Sequence, residues 1–335
     1  MTRYLITGGA GFMGSNFIHY LLRTYRDIKV INLDKLTYAG NLENLRDIEN
    51  EPRYRFVKGD VCDPQMVEPL IKESDVVVNF AAETHVDRSI MEAGSFVLTD
   101  VYGPYILLQA AQKHGIDRFV QISTDEVYGS IQEGSFSEED PLHPSNPYSA
   151  SKAGGENLVY SFYKTYGMPV VISRATNNFG PYQYPEKVIP LFITNALDGL
   201  PLPLYGDGMQ VRDWLYVEDH SHALDLIIRE GKEGEVYNIG AGNEVINLEL
   251  THQVLTLLEK PTSLIRHVKD RLGHDRRYSL NCNKIKSLGW EPKYSFLQAL
   301  RSTVQWYLDN QQWWRPIKER DDRYKTYYKR QYEQT

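Results

Sequence analysis

The chain has 335 residues and a formal net charge of −7, long enough to bury a sizeable core as one large domain or two. Hydrophobic residues make up 41% and charged residues 24%. That ordinary balance gives no sign of nucleic acid or an acidic membrane surface as partner.

The N-terminal stretch "MTRYLITGG" reads directly as a strand, with no signal-peptide apolar region. No apolar run reaches the roughly 20 residues of a membrane span. The two cysteines, Cys62 and Cys282, match no metal spacing. A disulfide between them is left open, but a reduced cytoplasmic protein without a metal is the expectation.

In chain order, "RYLITGG", "IKVINLD", "YRFVKGD", "DVVVNFAA", "RFVQIST" and "MPVVISR" are short Val/Ile-rich runs, nearly continuous in hydrophobicity. Strands buried on both faces read this way. Amphipathic stretches such as "SNFIHYLLRTY" and "TDVYGPYILLQAAQKHG" lie between them, so the first half predicts a parallel sheet with helices on both sides. From about residue 180, Pro and Gly become frequent and the elements shorter. The predicted division is a cofactor domain over 1–180, with later segments interleaved, and a smaller mixed α/β lobe over 181–335 that holds most of the substrate contacts.

"ITGGAGFMGSNF" spaces Gly8, Gly11 and Gly14 three residues apart, after a strand and at the start of a helix. Glycines there permit a tight turn and let a pyrophosphate approach the helix N-terminus. The pattern predicts a Rossmann-type doubly wound sheet. The next strand ends at Asp34, where a carboxylate can accept from both hydroxyls of an adenosine ribose and would repel a 2′-phosphate. The expected cofactor is therefore NAD rather than NADP. Asp60 in "GDVCD" could reach the adenine amino group, and Ala81 and Ala82 leave room for a cofactor to pass.

"QISTDEVYGS" carries Thr124 and the adjacent acids Asp125 and Glu126 at the mouth of an apolar strand. A solvated turn could hold such a pair at no cost, whereas burial would make the two carboxylates repel. Further on, "NPYSASK" sets Tyr148 four residues before Lys152, on one face of a helix. Asn146 suits the cap of that helix and Pro147 its first turn. An ammonium close to a phenol favours phenolate, so Lys152 is expected to lower the Tyr148 pKa and make it a usable base.

Together, the glycine turn, the hydroxyl at the strand end and Tyr-x-x-x-Lys resemble the extended short-chain dehydrogenase/reductase family over nearly the whole chain. Within it, "DKLTYAGNLENL", "AAETHVDRSI", "STDEVYG", "NNFGPYQYPEKVIPLF", "YGDGMQVRDWLYVEDH" and "DRLGHDRRY" are similar to the 4,6-dehydratases of nucleotide sugars, the branch that acts on dTDP-glucose in rhamnose-type deoxysugar biosynthesis.

The resemblance implies a triad of Thr124, Tyr148 and Lys152, with Lys152 also on the nicotinamide ribose. Tyr148 would take the C4 hydroxyl proton while hydride moves to NAD. Glu126 would remove the C5 proton, and Asp125, kept neutral, would protonate the departing C6 hydroxyl. Phe12, Met13, Lys35, Thr37, Val61, Thr99 and Asn177 complete the implied cofactor set.

For the substrate, the resemblance implies Arg212, Arg271 and His274 on the diphosphate, with Asn178 and Asn247 as polar contacts. Tyr205 would stack on the pyrimidine, Lys187 would lie near the base, Val188 and Pro203 would be further substrate contacts, and Glu83 and His85 would face the glucose. It also implies a homodimer built by pairing helices from each subunit.

Asp100, where this family usually has asparagine, and Ala175–Thr176 depart from the pattern, and neither is expected to touch a catalytic group. The basic aromatic end, residues 315–335 with a net charge of +3, has two readings, a nucleic-acid surface or a terminal helix packing its tyrosines on the body, and the second is preferred. Two other readings of the whole remain: a dehydratase or 4-epimerase for a UDP- or other nucleotide-linked sugar, and a non-catalytic NAD sensor. The latter has no need for all four of Asp125, Glu126, Tyr148 and Lys152.

Overall fold

The structure is a computed structural model that describes residues 1–333. Six strands coincide with the six Val/Ile-rich runs: β1 (Thr2–Thr7), β2 (Ile28–Asp34), β3 (Tyr54–Lys58), β4 (Val76–Asn79), β5 (Arg118–Thr124) and β6 (Val170–Ala175). Beyond them lie β7 (Asn177–Phe179), β8 (Leu202–Tyr205), β9 (Val211–Tyr216), β10 (Val236–Ile239), β11 (Glu244–Ile246) and β12 (Ile265–Val268).

The main sheet has seven strands in the order β10-β6-β5-β4-β1-β2-β3, every pair parallel. Parallel strands need covered faces, which is why these runs are apolar throughout rather than alternating. One face packs on Phe17, Leu21, Leu224 and Ile227, and the other on Leu107, Ala111, Val159 and Phe162. The strand order reverses between β1 and β4, which opens a crevice at their carboxyl ends, the usual ligand position in such sheets. The seventh strand, β10, comes from the second half of the chain and pairs with β6 in register Val236↔Ile172.

A second apolar core lies around Phe192, Trp214, Leu250, Leu300 and Trp314. It joins a three-stranded sheet, β11-β9-β7, with a two-stranded one, β12-β8. The β9–β11 pairing is antiparallel, so this part is mixed. Tyr324, Tyr327 and Tyr332 of the C-terminal segment are buried on the body. Both cysteine thiols are free. Among the described residues no helix is long and apolar enough to cross a membrane.

Candidate active site

The glycine turn is shaped by contact. Gly8 has φ +66, and a Cβ there would lie 2.7 Å from the Ala81 nitrogen. A Cβ on Gly14 would lie 2.5 Å from the Gly8 carbonyl oxygen. The glycines thus let the end of β1, the end of β4 and the helix Phe12–Thr24 converge on one point. That helix begins at Gly11 with no side-chain cap and no acid in its first turn, leaving its first N–H groups to meet an anion.

Asp34 ends β2, buried, and its two oxygens accept from Ala10 N (2.9 Å) and Leu36 N (2.7 Å). Each oxygen keeps a lone pair for a further donor. Asp60 pairs with Lys35 at 2.6 Å and accepts from Cys62 N. Burial pushes its carboxyl up, but Lys35 and the Cys62 N–H outweigh that and lower it.

At the other end of the cavity, β5 stops at Thr124, whose hydroxyl oxygen accepts from Glu126 N at 3.3 Å and caps the short turn Asp125–Tyr128. The turn draws both acids inward. Asp125 is 2% exposed, and Asp125 Oδ2 and Glu126 Oε2 are buried with no hydrogen-bond partner. Burial first, then the Glu126 charge, pushes the Asp125 carboxyl well above the carboxylate range, against the pull of Arg212 and Thr124. That shift favours the neutral form of Asp125.

Tyr148 and Lys152 come from the helix Pro147–Tyr166, which starts with a capping box. Asn146 Oδ1 accepts from Ser149 N at 2.9 Å, and Pro147 occupies the first turn. Lys152 is buried and donates to the Ile122 carbonyl at 2.6 Å. The expected lowering of the Tyr148 phenol is not what these surroundings produce. Burial, then the charges of Glu126 and Asp100, raise it well above its ordinary range, and only hydrogen bonding to Thr124 is prominent on the other side.

One cavity of about 290 Å³ is lined by every predicted cofactor residue, from Gly8, Gly11, Phe12, Met13 and Gly14 through Asp34, Lys35, Thr37, Asp60, Val61, Ala81, Ala82 and Thr99 to Asn177. All five predicted catalytic residues line it too, as do Glu83, Asn178, Lys187 and Val188. Lys187 donates to the Thr84 carbonyl at 2.5 Å. The glycine cradle, the uncapped helix start, the two acids and the unpartnered buried oxygens of Asn177 and Asn178 fit a dinucleotide.

The remaining predicted substrate residues, His85, Pro203, Tyr205, Arg212, Asn247, Arg271 and His274, lie outside that lining. Three of them, His85, Tyr205 and Arg271, gather around Asp87, which was not predicted. Asp87 Oδ2 accepts from Tyr205 OH (2.9 Å) and Tyr327 OH (3.0 Å), and Arg271 stands 3.6 Å from Oδ1. The His274 ring meets Tyr205 edge-on, and Pro203 lies two residues before Tyr205 on β8. Arg212 stacks over Tyr278 and feels the Glu126 and Asp125 charges. Arg271 also feels Glu126, so both guanidiniums lie within electrostatic reach of the acid pair. The buried Asn247 Oδ1 has no partner.

Two expectations on the departures from pattern are corrected. Asp100 accepts from Glu83 N (3.0 Å) and from the Ser151 hydroxyl (2.7 Å), and its charge reaches Tyr148 and Lys152. Ala175 pairs with Thr124 across β5–β6, and Ala175 and Thr176 line the cavity. Parallel register brings them there, which spacing along the chain does not show. Among further lining residues, Ser123, Gln183 and Glu186 carried no sequence signal of their own.

A family model described as GDP-mannose 4,6 dehydratase matches residues 5–303. The dTDP-glucose 4,6-dehydratase of Streptomyces niveus is 51% identical over 325 residues, 96% of this chain and 97% of that protein. The low-salt glycan biosynthesis protein Agl12 of Haloferax volcanii is 54% identical over 304 residues, 91% of this chain and 98% of its own. The crystal structure of DesIV, a dTDP-glucose 4,6-dehydratase from Streptomyces venezuelae with NAD bound, superposes with a TM-score of 0.92 at 49% identity, covering 94% of this chain and all of that one.

Proposed function

The chain belongs to the GDP-mannose 4,6 dehydratase family, and from that premise we propose that it is an NAD-dependent dTDP-glucose 4,6-dehydratase, a hydro-lyase that forms dTDP-4-keto-6-deoxyglucose and water for deoxysugar biosynthesis. The observation that carries this reading is the acid pair. Asp125 and Glu126 share a cavity with Tyr148, Lys152 and the glycine turn, and each presents a buried carboxyl oxygen with no partner. Oxidation and reduction alone would not require two crowded acids, whereas elimination of water needs a base and an acid side by side.

Gly8, Gly11 and Gly14 with the helix start would hold the pyrophosphate, Asp34 the adenosine ribose, Asp60 the adenine, and Lys152 the nicotinamide ribose. NAD, when bound, supplies the acceptor that takes hydride from C4 and returns it to C6, and brings a positive charge. Tyr148, oriented by Thr124, accepts the C4 hydroxyl proton. The resulting ketone acidifies C5, and Glu126 removes that proton. Asp125, held neutral by burial and by Glu126, protonates the departing C6 hydroxyl, and Glu126 returns its proton to C5. Arg212 and Arg271 border this centre and suit a diphosphate.

The same reading has residues 1–180, with β10, as the cofactor domain and residues 181–335 as chiefly the nucleotide-sugar lobe, in a cytoplasmic homodimer. Exposed Val97, Leu98, Tyr102, Tyr160 and Tyr166, on and beside the paired helices Gly103–His114 and Pro147–Tyr166, support pairing with a second copy. The test is incubation with dTDP-glucose, UDP-glucose and GDP-mannose, followed by mass spectrometry. Loss of water from dTDP-glucose is expected; isomers of unchanged mass would mark an epimerase.

A further inference from the structure

Asp100 is a buried acid with no part in the chemistry above. It is 1% exposed and sits in the wide helical turn Leu98–Tyr102. That turn is pressed against the helix that carries Tyr148 and Lys152, since a Cβ on Gly155 would lie 2.1 Å from the Asp100 carbonyl oxygen. The two side-chain oxygens are divided between two elements. Oδ1 takes the backbone N–H of Glu83, in the segment that leaves β4 and lines the cavity. Oδ2 takes the hydroxyl of Ser151, the residue before Lys152. The Ser151 hydroxyl also lies 2.8 Å from the Tyr148 carbonyl oxygen.

We propose that Asp100 is a positioning residue that ties the Glu83 segment to the catalytic helix through its two hydrogen bonds, and that its negative charge, held beside that helix, disfavours the Tyr148 phenolate. The second half rests on Tyr148 being the base that takes the C4 proton. Asn would preserve the tie. Its carbonyl accepts from Glu83 N, and its amide donates to the Ser151 oxygen, leaving the serine hydroxyl to the Tyr148 carbonyl. Only the charge would differ, so the two functions of Asp100 separate experimentally.

The charged groups around Asp100 are few. Lys152 and Tyr148 face it from the catalytic helix, Glu83 from the β4 segment and Cys62 from the loop after β3. Burial raises Asp100 to about 6, against the pull of Lys152, Ser151 and the Glu83 N–H, so its charge develops as pH rises through that value. Its charge is one of the causes that raise the Tyr148 phenol, behind burial and Glu126 and ahead of Asp125. It also opposes the burial that lowers the Lys152 ammonium, and adds to the burial that pushes the Glu83 carboxyl up to about 7. Removing the charge therefore favours phenolate.

The test uses Asp100→Asn and Asp100→Ala in the NAD-loaded enzyme, with two measurements on each. Calorimetric titration with dTDP-glucose, done in a Tyr148→Phe background so that the sugar binds without turnover, should give Asp100→Asn the Kd of the background and Asp100→Ala a Kd about tenfold weaker, the scale of a lost buried hydrogen bond. Ser151→Ala, which cuts one tie only, should move the same way if Asp100→Ala does not fold. In single-turnover formation of reduced cofactor, the ascending pH limb of Asp100→Asn should move down by about one unit.

An unshifted limb in Asp100→Asn overturns the role of the charge. The affinity of the background in Asp100→Ala or Ser151→Ala overturns the tie. If Tyr148→Phe still forms reduced cofactor at the normal rate, the assignment of the base has failed instead, and the affinities decide the tie without it.

Discussion

Glu126 and Asp125 are adjacent, yet the structure gives them different environments, and substitutions should separate them. Glu126→Gln removes the group assigned to the C5 proton while leaving C4 oxidation intact. Reduced cofactor should appear in a single turnover and persist, with overall turnover down ~10²–10⁴-fold. Solvent deuterium exchange at C5 at the wild-type rate would remove Glu126 from this role. Tyr148→Phe should fail one step earlier, with dTDP-glucose still bound and no reduced cofactor formed. The raised Tyr148 phenol sets a sign for pH. Burial, Glu126 and Asp100 oppose its ionisation, so C4 oxidation should speed up as pH rises through the Tyr148 pKa of the loaded enzyme.

The element that matters most is the helix Pro147–Tyr166, because it aims two catalytic groups from one surface. Its start is held by Asn146, buried, in a reciprocal cap with Ser149. Asn146→Ala leaves the Ser149 N–H without its acceptor and should cost ~1 kcal/mol in denaturant unfolding. Tyr148 lies only two residues beyond the cap, so fraying should reach it. A fall in kcat larger than any rise in KM is expected, and wild-type kinetics in a protein destabilised to that degree would show that the cap serves the fold alone.

On the scale of the whole molecule, two surfaces carry the proposed partners. Val97, Leu98 and Tyr102 are exposed apolar residues of one segment, and Leu98→Glu with Tyr102→Glu should turn a dimer into a monomer by light scattering. A wild type that is already monomeric would remove the helix-pairing reading. The other surface is the nucleotide end. dTDP and UDP differ by a thymine methyl and a ribose 2′-hydroxyl, and a methyl in an apolar slot is worth about 1–3 kcal/mol, or roughly 10- to 200-fold. A clear but incomplete preference for dTDP-glucose in kcat/KM is expected. Equal values for the two sugars would leave the 4,6-dehydratase chemistry but not the nucleotide.

The six strands, the glycine turn, Asp34 after β2 and the capped helix bearing Tyr148 and Lys152 were all legible in the sequence. Each is a local pattern: a continuous apolar run, a fixed glycine spacing, a cap followed by proline. What local pattern could not carry is distance between segments far apart in the chain. Strand β10 joins the main sheet from residue 236 because its partner is chosen by edge pairing with β6. Asp87 gathers Tyr205, Tyr327 and Arg271 from three separate segments. The direction of the Tyr148 shift was missed for the same reason. Spacing showed the nearby lysine, while the burial and the two carboxylates that raise the phenol exist only once β4, β5 and the helix close around it. Asp100 looked peripheral in sequence, and parallel strand order with a glycine-tight helix contact put it beside the catalytic helix.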